Sequence, residues 1–454
     1  MTLPTVQTVS AELDAAVTTS DRLTRQALDR INDPDGEGAR AFIRLNAQRS
    51  LKLAEASDAM RAAGHKRSLL EGLPISVKDL FDVAGERTTA GSLALTHARP
   101  AAQDSPVVRR LLSAGAVITG TTNMSEFAFS GIGINPHYGT PRNPFDRATG
   151  RIPGGSSSGA AISVTDGMAV AAIGTDTGGS IRIPAALCGL TGFKPTARRV
   201  SAEGVVPLST SLDSIGPIAA SVACCAAIDA VLSGNAHLSG RPLPLRGLRL
   251  AVPQTVVLSN MDATVAAAFD RALTVLSRHG AHVVEIELPA FSEVAGIYAR
   301  GGLVAPEAYA WHKDLLENLG DRYDPRVRLR ILRGKELSAA DYIDALDVRR
   351  RWVATVEDQI AGYDALIMPT VPVIAPELGP LIESDEAFFA ANGLILRNPT
   401  MINFLDGCAL SIPCHRGDEA PVGLMVAGAA MKDRTILAVG QAIETALTMA
   451  AARD

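Results

Sequence analysis

Apolar positions recur at helical spacing through the first seventy residues. Leu23, Ala27, Leu28 and Ile31 share one face, a polar loop at 33–38 follows, and Ala41, Ile43, Leu45 and then 51–62 continue the pattern. Residues 1–70 are therefore expected to be helical. Beyond them, short apolar runs read as strands at 74–80, 116–119, 168–174, 248–252 and 282–288. Between the last two lies a helix with Val265, Phe269, Leu273 and Leu276 in register and Gly280 just past its end. A helical insert is expected at 300–361, with a capping box at Ser338 and Asp341. An apolar segment at 365–374 is broken by Pro369 and Pro372, and a last helix runs near 435–449. Residues 239–247, with Pro242 and Pro244, are read as an exposed crossover rather than a domain boundary, because alternation resumes on both sides. This alternation predicts an α/β fold: a central mixed sheet covered by helices on both faces.

The chain of 454 residues is 47% hydrophobic and 20% charged, enough to bury a sizeable core and too apolar for long-range disorder. Its 43 basic residues stand against 48 acidic ones, net −5, with no basic block, which argues against binding nucleic acid through phosphate neutralisation. Five cysteines without a CxxC pair signal neither a disulfide framework nor structural zinc. The eight histidines show no HExxH, and no metal or cofactor is expected. No run approaches the ~18 apolar residues of a membrane span. Glu12 and Asp14 stand where a signal peptide would need basic residues, so the expected compartment is a reducing cytoplasm.

The chemistry is concentrated in 150–196, GRIPGGSSSGAAISVTDGMAVAAIGTDTGGSIRIPAALCGLTGFKPT. Two glycine–serine loops, 154–159 and 178–180, each lead into a helix-like run, so their N–H groups suit an anion or a developing oxyanion. A phosphate loop is excluded because no GK[ST] follows either of them. Gly155–Gly159 matches GxSxG around Ser157, but Arg151, Ile152 and Pro153 precede it where the nucleophile elbow needs an apolar strand. An SxxK site fails too: no lysine has a serine three residues before it.

A Ser–Ser–Lys hydrolase is the fourth reading. The chain prefers arginine yet places Lys78 in LPISVKDLF, and only lysine can lose its proton at accessible pH. Burial away from carboxylates lowers a lysine from about 10.4 toward neutrality. Asp79 would lie on the opposite face of a strand from Lys78, although Ile75 and Val77 would share the Asp79 face. The competing reading is a snorkelling lysine at a strand end.

The block resembles the amidase signature family along nearly the whole signature. Similarity extends from Leu73 through Ser221, including SVKDLFDVAG (76–85), NMSEFAFS (123–130) and LSTSLDSIGP (208–217), and returns in PVGLMVAG (421–428). It is loose over 300–400. The resemblance implies the amidase-signature fold, spanning 1–454 as one amidase domain with the core at 73–221. It further implies Lys78 as catalytic lysine, Ser156 as a bridging serine following a cis peptide, and Ser180 as nucleophile. The backbone N–H groups of Thr177, Gly178, Gly179 and Ser180 would form the oxyanion hole. Ala128 and Ser130, in the stretch that passes the acyl pocket, are candidate substrate contacts. Arg330 is a candidate anchor for a substrate carboxylate, weighed against a solvated helix face. Asp176 and Arg182 read as structural, Asp213 as organising its own turn, and Cys188 as core.

The implied function is hydrolysis of a small carboxylic amide through an acyl-enzyme, releasing ammonia or an amine, with no nucleic acid or membrane as partner and a homodimer as the family tendency. One alternative is the glutaminase component, the A subunit, of glutamyl-tRNA(Gln) amidotransferase, which would need partner subunits. Against it, RNPTMINFLDGCALSIP (397–413) lacks an upstream acid for glutamine's amino group, and the first loop reads GGSSSGAA rather than GGSSGGSAA. The alternative of another class is a non-catalytic scaffold or binding relative, which would have no use for a lysine poised to lose its proton.

Overall fold

The computed structural model describes residues 3–235, 243–299 and 301–451. Among these, eleven strands form one sheet. In chain order they are β1 Phe42–Leu45, β2 Pro74–Lys78, β3 Val117–Thr122, β4 Ala171–Asp176, β5 Thr191–Lys194 and β6 Ser214–Ala219. The second half supplies β7 Arg249–Pro253, β8 His282–Ile286, β9 Ala365–Pro369, β10 Cys408–Pro413 and β11 Gly423–Gly428. Across the sheet they run β1-β3-β2-β4-β6-β5-β10-β11-β9-β7-β8. The trios β3-β2-β4 and β9-β7-β8 are parallel, whereas β4 through β9 is joined by antiparallel pairs. The sheet is mixed, as the alternation of elements implied.

Strand alternation sends successive side chains to opposite layers. Ile75, Val77, Ala171, Ile173, Leu410 and Val426 pack beneath the helices Val222–Ser233 and Asp433–Ala451. Their neighbours Ala251, Leu366, Ala409 and Met425 pack on the other side with Phe291, Trp352 and Phe404. On that second side Ala172 meets Ala160 and Ala161 of the helix Ser158–Thr165. Each fully buried Ile or Val contributes roughly 1.5–3 kcal/mol, and both layers are dense with them.

The first seventy residues are not helical throughout, because Phe42–Leu45 forms β1. It pairs with β3, Phe42 opposite Thr122 and Leu45 opposite Gly120, a tertiary contact that a four-residue segment cannot announce. Strand β6 carries Gly216 and Pro217 in its middle, residues that argue against a central strand, and no strand was expected there. Of the crossover 239–247, residues 239–242 lie outside the described residues. The rest leads into β7, which joins the same sheet as β2. The insert holds the helices Val304–Leu319, Pro325–Leu332 and Ala339–Ile360, its residue 300 lying outside the described residues. The capping box forms: Asp341 N–H donates to Ser338 Oγ at 3.2 Å, and Ser338 N–H to Asp341 Oδ2 at 2.9 Å. Among the described residues no helix is long and apolar enough to cross a membrane.

Candidate active site

Strand β2 ends at Lys78. Ile75 and Val77 enter the core, and alternation leaves Ser76 and Lys78 on the other face, where Ser76 Oγ meets Ser163 Oγ at 2.8 Å. Lys78 is fully buried, and its Nζ donates to Ser156 Oγ at 2.7 Å and to Thr175 Oγ1 at 2.9 Å. No carboxylate of the described residues lies within ion-pair distance of it. Burial pushes its ammonium down to about 7, and the charges of Asp213 and Asp176 oppose that shift without cancelling it. The Asp79 carboxylate is held elsewhere, accepting from the N–H of Thr89 at 3.2 Å and of Gly91 at 3.3 Å and from the Thr89 hydroxyl. The expected separation of Lys78 from its acidic neighbour is therefore present.

The two glycine–serine loops meet beside this lysine. The Gly155–Ser156 peptide is cis, as the resemblance implied. Ser157 N–H donates to the Ser180 carbonyl at 3.3 Å, tying the loops together one residue past Ser156. Gly155 is required sterically, since a Cβ there would lie 2.6 Å from Gly133 N. Gly179 has φ +127°, and a Cβ on it would lie 2.6 Å from Pro399 Cβ.

Beneath the second loop sits an ion pair with both side chains fully buried, Arg182 Nη2 to Asp176 Oδ1 at 2.9 Å. Burial alone would raise the Asp176 carboxyl, but the Arg182 guanidinium and the hydrogen bonds around it hold it well below the usual carboxylate range. Asp176 also accepts from Gly179 N–H at 2.8 Å and Ile181 N–H at 3.1 Å. The Gly179 N–H, counted among four oxyanion donors, is thus engaged. The N–H groups of Thr177, Gly178 and Ser180 have no acceptor among the described residues. Asp213 receives the Thr177 hydroxyl at 2.5 Å and the N–H of Leu208 at 2.9 Å and Ser209 at 3.1 Å, so it organises its own turn and also holds the start of the 177–180 loop. Cys188 is buried, a core residue as expected.

Ser180 opens onto a cavity of about 380 Å³, walled by Thr177 and Gly178 on its side and by Ala128, Ser130 and Arg330 on the other. All three weaker candidates therefore line the space in front of Ser180. Ala128 follows Phe127 in left-handed conformation, φ +60° after +49°, turning the chain across the cavity. Ser130 Oγ donates to Asn392 Oδ1 at 3.1 Å. Arg330 is not on a solvated helix face: its guanidinium lies 4.3 Å from the Phe129 ring centroid and donates to the Phe129 carbonyl. Sequence reasoning missed Thr175, the second partner of Lys78, and Asn392, Arg333 and Arg397 of the cavity wall. Thr175 was detectable, because it is one residue before Asp176 on the strand beside β2. The others lie in 300–400, where no motif marks them.

A model of the Amidase family matches residues 22–437. The chain is 38% identical over 416 residues to 2-amino-5-chloromuconic acid deaminase of Comamonas testosteroni, covering 89% of this chain and 89% of that protein. It is 36% identical over 475 residues to the A subunit of glutamyl-tRNA(Gln) amidotransferase from Chloroflexus aggregans, covering 97% and 96%. A solved amidase structure superposes with a TM-score of 0.87 at 34% identity, covering 97% of this chain and 99% of that one.

Proposed function

The chain belongs to the Amidase family, the amidase signature enzymes, and from that premise we propose that it hydrolyses a small carboxylic amide through Ser180, Ser156 and Lys78. The observation that carries this reading is the buried Lys78 Nζ, 2.7 Å from Ser156 Oγ. A lysine held near neutrality can take a proton that an arginine or an ion-paired lysine could not.

The Ser180 hydroxyl proton passes to Ser156 Oγ while the Ser156 proton passes to neutral Lys78 Nζ, and Ser180 Oγ forms a bond to the amide carbon. The oxyanion falls to the N–H groups of Gly178 and Ser180, with Thr177 at the edge, each donor contributing about 3–4 kcal/mol at the transition state. The C–N bond breaks as Lys78 returns its proton through Ser156 to the leaving nitrogen. Ammonia or an amine departs, and water cleaves the Ser180 ester by the same relay to release the acid. Ala128, Ser130 and Arg330 are assigned to the acyl side of the site.

Ammonia release from a panel of amides, wild type beside Ser180→Ala, tests this. The expected result is release by wild type alone, with a fluorophosphonate labelling Ser180. Failure to label the folded protein would favour a scaffold without catalysis. The likeness to the A subunit of glutamyl-tRNA(Gln) amidotransferase supports a second reading, a glutaminase that works within a larger enzyme. Glutaminase activity that appears only when partner subunits are added would favour it.

A further inference from the structure

The cavity in front of Ser180 is electrostatically one-sided. Among the described residues three arginines line it, Arg330, Arg333 and Arg397, and no aspartate or glutamate does. None of the three forms an ion pair with a described residue. Arg397 has its donors engaged by Asn398 Oδ1 at 2.9 Å, Ser259 O at 2.7 Å and Val257 O at 3.0 Å, which fixes the side chain but leaves its charge uncompensated. Arg330 gives a hydrogen bond to the Phe129 carbonyl and its guanidinium carbon sits 4.3 Å from that ring's centroid, and most of its guanidinium donors have no acceptor among the described residues. Burial lowers its pKa only to about 10, so it stays charged at neutral pH. Arg333 is exposed, and no described residue accepts from it. The chain pairs its fully buried arginine, Arg182, with an aspartate. Half-buried guanidinium groups without counter-charge around a space of small-ligand size are complementary to an anion that arrives with the ligand.

We propose that the acyl part of the substrate carries a carboxylate and no ammonium group: the monoamide of a dicarboxylic acid. Its free carboxylate pairs with Arg330 and is drawn in by the field of Arg333 and Arg397, while its amide carbon meets Ser180. The inference rests on the amidase reading and narrows it. An α-amino amide such as glutamine would bring its ammonium among three guanidinium groups with no acid in the wall to receive it.

Three kinds of amide of matched length decide this: glutaric acid monoamide, the neutral pentanamide, and glutamine. Wild type is expected to favour the monoamide over both others by about a hundredfold in kcat/KM, the factor of a charge-assisted pair. Added salt should shrink that advantage. Arg330→Gln should bring the monoamide-to-pentanamide ratio close to one. Arg333→Gln, exposed and without a protein partner, should lower it severalfold and covers the case in which Arg330→Gln does not fold. Calorimetry with glutarate and Ser180→Ala reads the same contact without turnover, and binding should disappear when Arg330→Gln is added.

Equal or better turnover of pentanamide or glutamine, or a ratio that survives Arg330→Gln in the folded enzyme, would overturn the inference. Ser180-dependent hydrolysis of neutral amides without preference would sink it and leave the amidase reading standing. Glutarate binding that depends on Arg330, with Ser180 inert to every amide and to a phosphonate, would overturn the amidase reading and the monoamide with it, and leave only a carboxylate-binding site.

Discussion

The wall of the cavity that carries Ser180 and the wall that carries Arg330 are built differently. The first is made of strand ends and glycine loops, where Lys78, Ser156 and Asp176 are completely buried. It is over-determined: Asp176 alone receives Arg182, Gly179, Ile181 and Asn403. The second is made of the helices Pro325–Leu332 and Asp385–Phe404, and its arginines are half-buried or exposed. The two walls also treat cations in opposite ways. The chemical wall pairs its arginine with a carboxylate and denies its lysine one, so that one stays charged and the other is poised to be neutral. The helical wall leaves the arginines that line the cavity, Arg330, Arg333 and Arg397, without an ion-pair partner among the described residues. The proposed division, chemistry on one wall and substrate selection on the other, predicts that substitutions in the two walls have different effects.

The largest expected effect breaks the chemical wall outright. Ser180→Ala should lower kcat/KM by at least about 10⁴-fold, and Lys78→Ala by a similar factor, because groups that act as a unit fail together. Both are read by ammonia release, with circular dichroism showing the fold intact. A loss below tenfold in either would contradict the assigned roles.

Next comes the scaffold under that wall. Asp176→Asn leaves Arg182 as an unpaired buried cation and should destabilise the protein by about 3–5 kcal/mol in urea unfolding. The same test on Arg326, whose partner Asp385 is 73% exposed, should cost under about 1 kcal/mol when Asp385→Asn is made. Comparable costs would erase the distinction between the walls.

A smaller effect has the opposite sign. Folding lowers the Lys78 pKa from 10.5 to about 7, so the unfolded chain binds the extra proton between those pH values. Wild-type stability should therefore rise with pH across that window. Lys78→Met removes the desolvation cost while leaving two hydroxyls less well paired, for a net gain of about 2 kcal/mol at pH 7 and below. The gain should shrink as the pH rises from 7 and vanish only above 10.5, where wild type is neutral in both states. A destabilised Lys78→Met at pH 7 would mean the lysine is held charged.

Legibility in the sequence followed the same division. The chemical wall was readable through the family resemblance: the residues alone left Lys78 open between a base and a snorkelling lysine, and the motifs matched by position assigned Lys78, Ser156 and Ser180. The separation of Asp79 from Lys78 followed from strand alternation, although the strand ends at Lys78 and the carboxylate is fixed by Thr89 and Gly91. The placing of Arg330 could not follow from its own helix. That its face meets the cavity rather than water depends on Phe129, some two hundred residues earlier. Strands β1 and β6 escaped for a related reason: the partner strand defines the first, and the second is held in a central position despite Pro217. The occupation of Gly179 N–H by Asp176 likewise needed coordinates, since a motif shows which donors exist and not which are already engaged.

The most direct test is the pH dependence of Ser180 nucleophilicity, measured as the rate of phosphonylation by a fluorophosphonate from pH 5 to 10. A neutral Lys78 predicts a rate that climbs about tenfold per unit below an apparent pKa near 7 and levels above it. Lys78→Arg should be slow throughout, with no such step. A wild-type profile that is flat between pH 6 and 9, or that survives Lys78→Arg unchanged, would show that Lys78 is not the base.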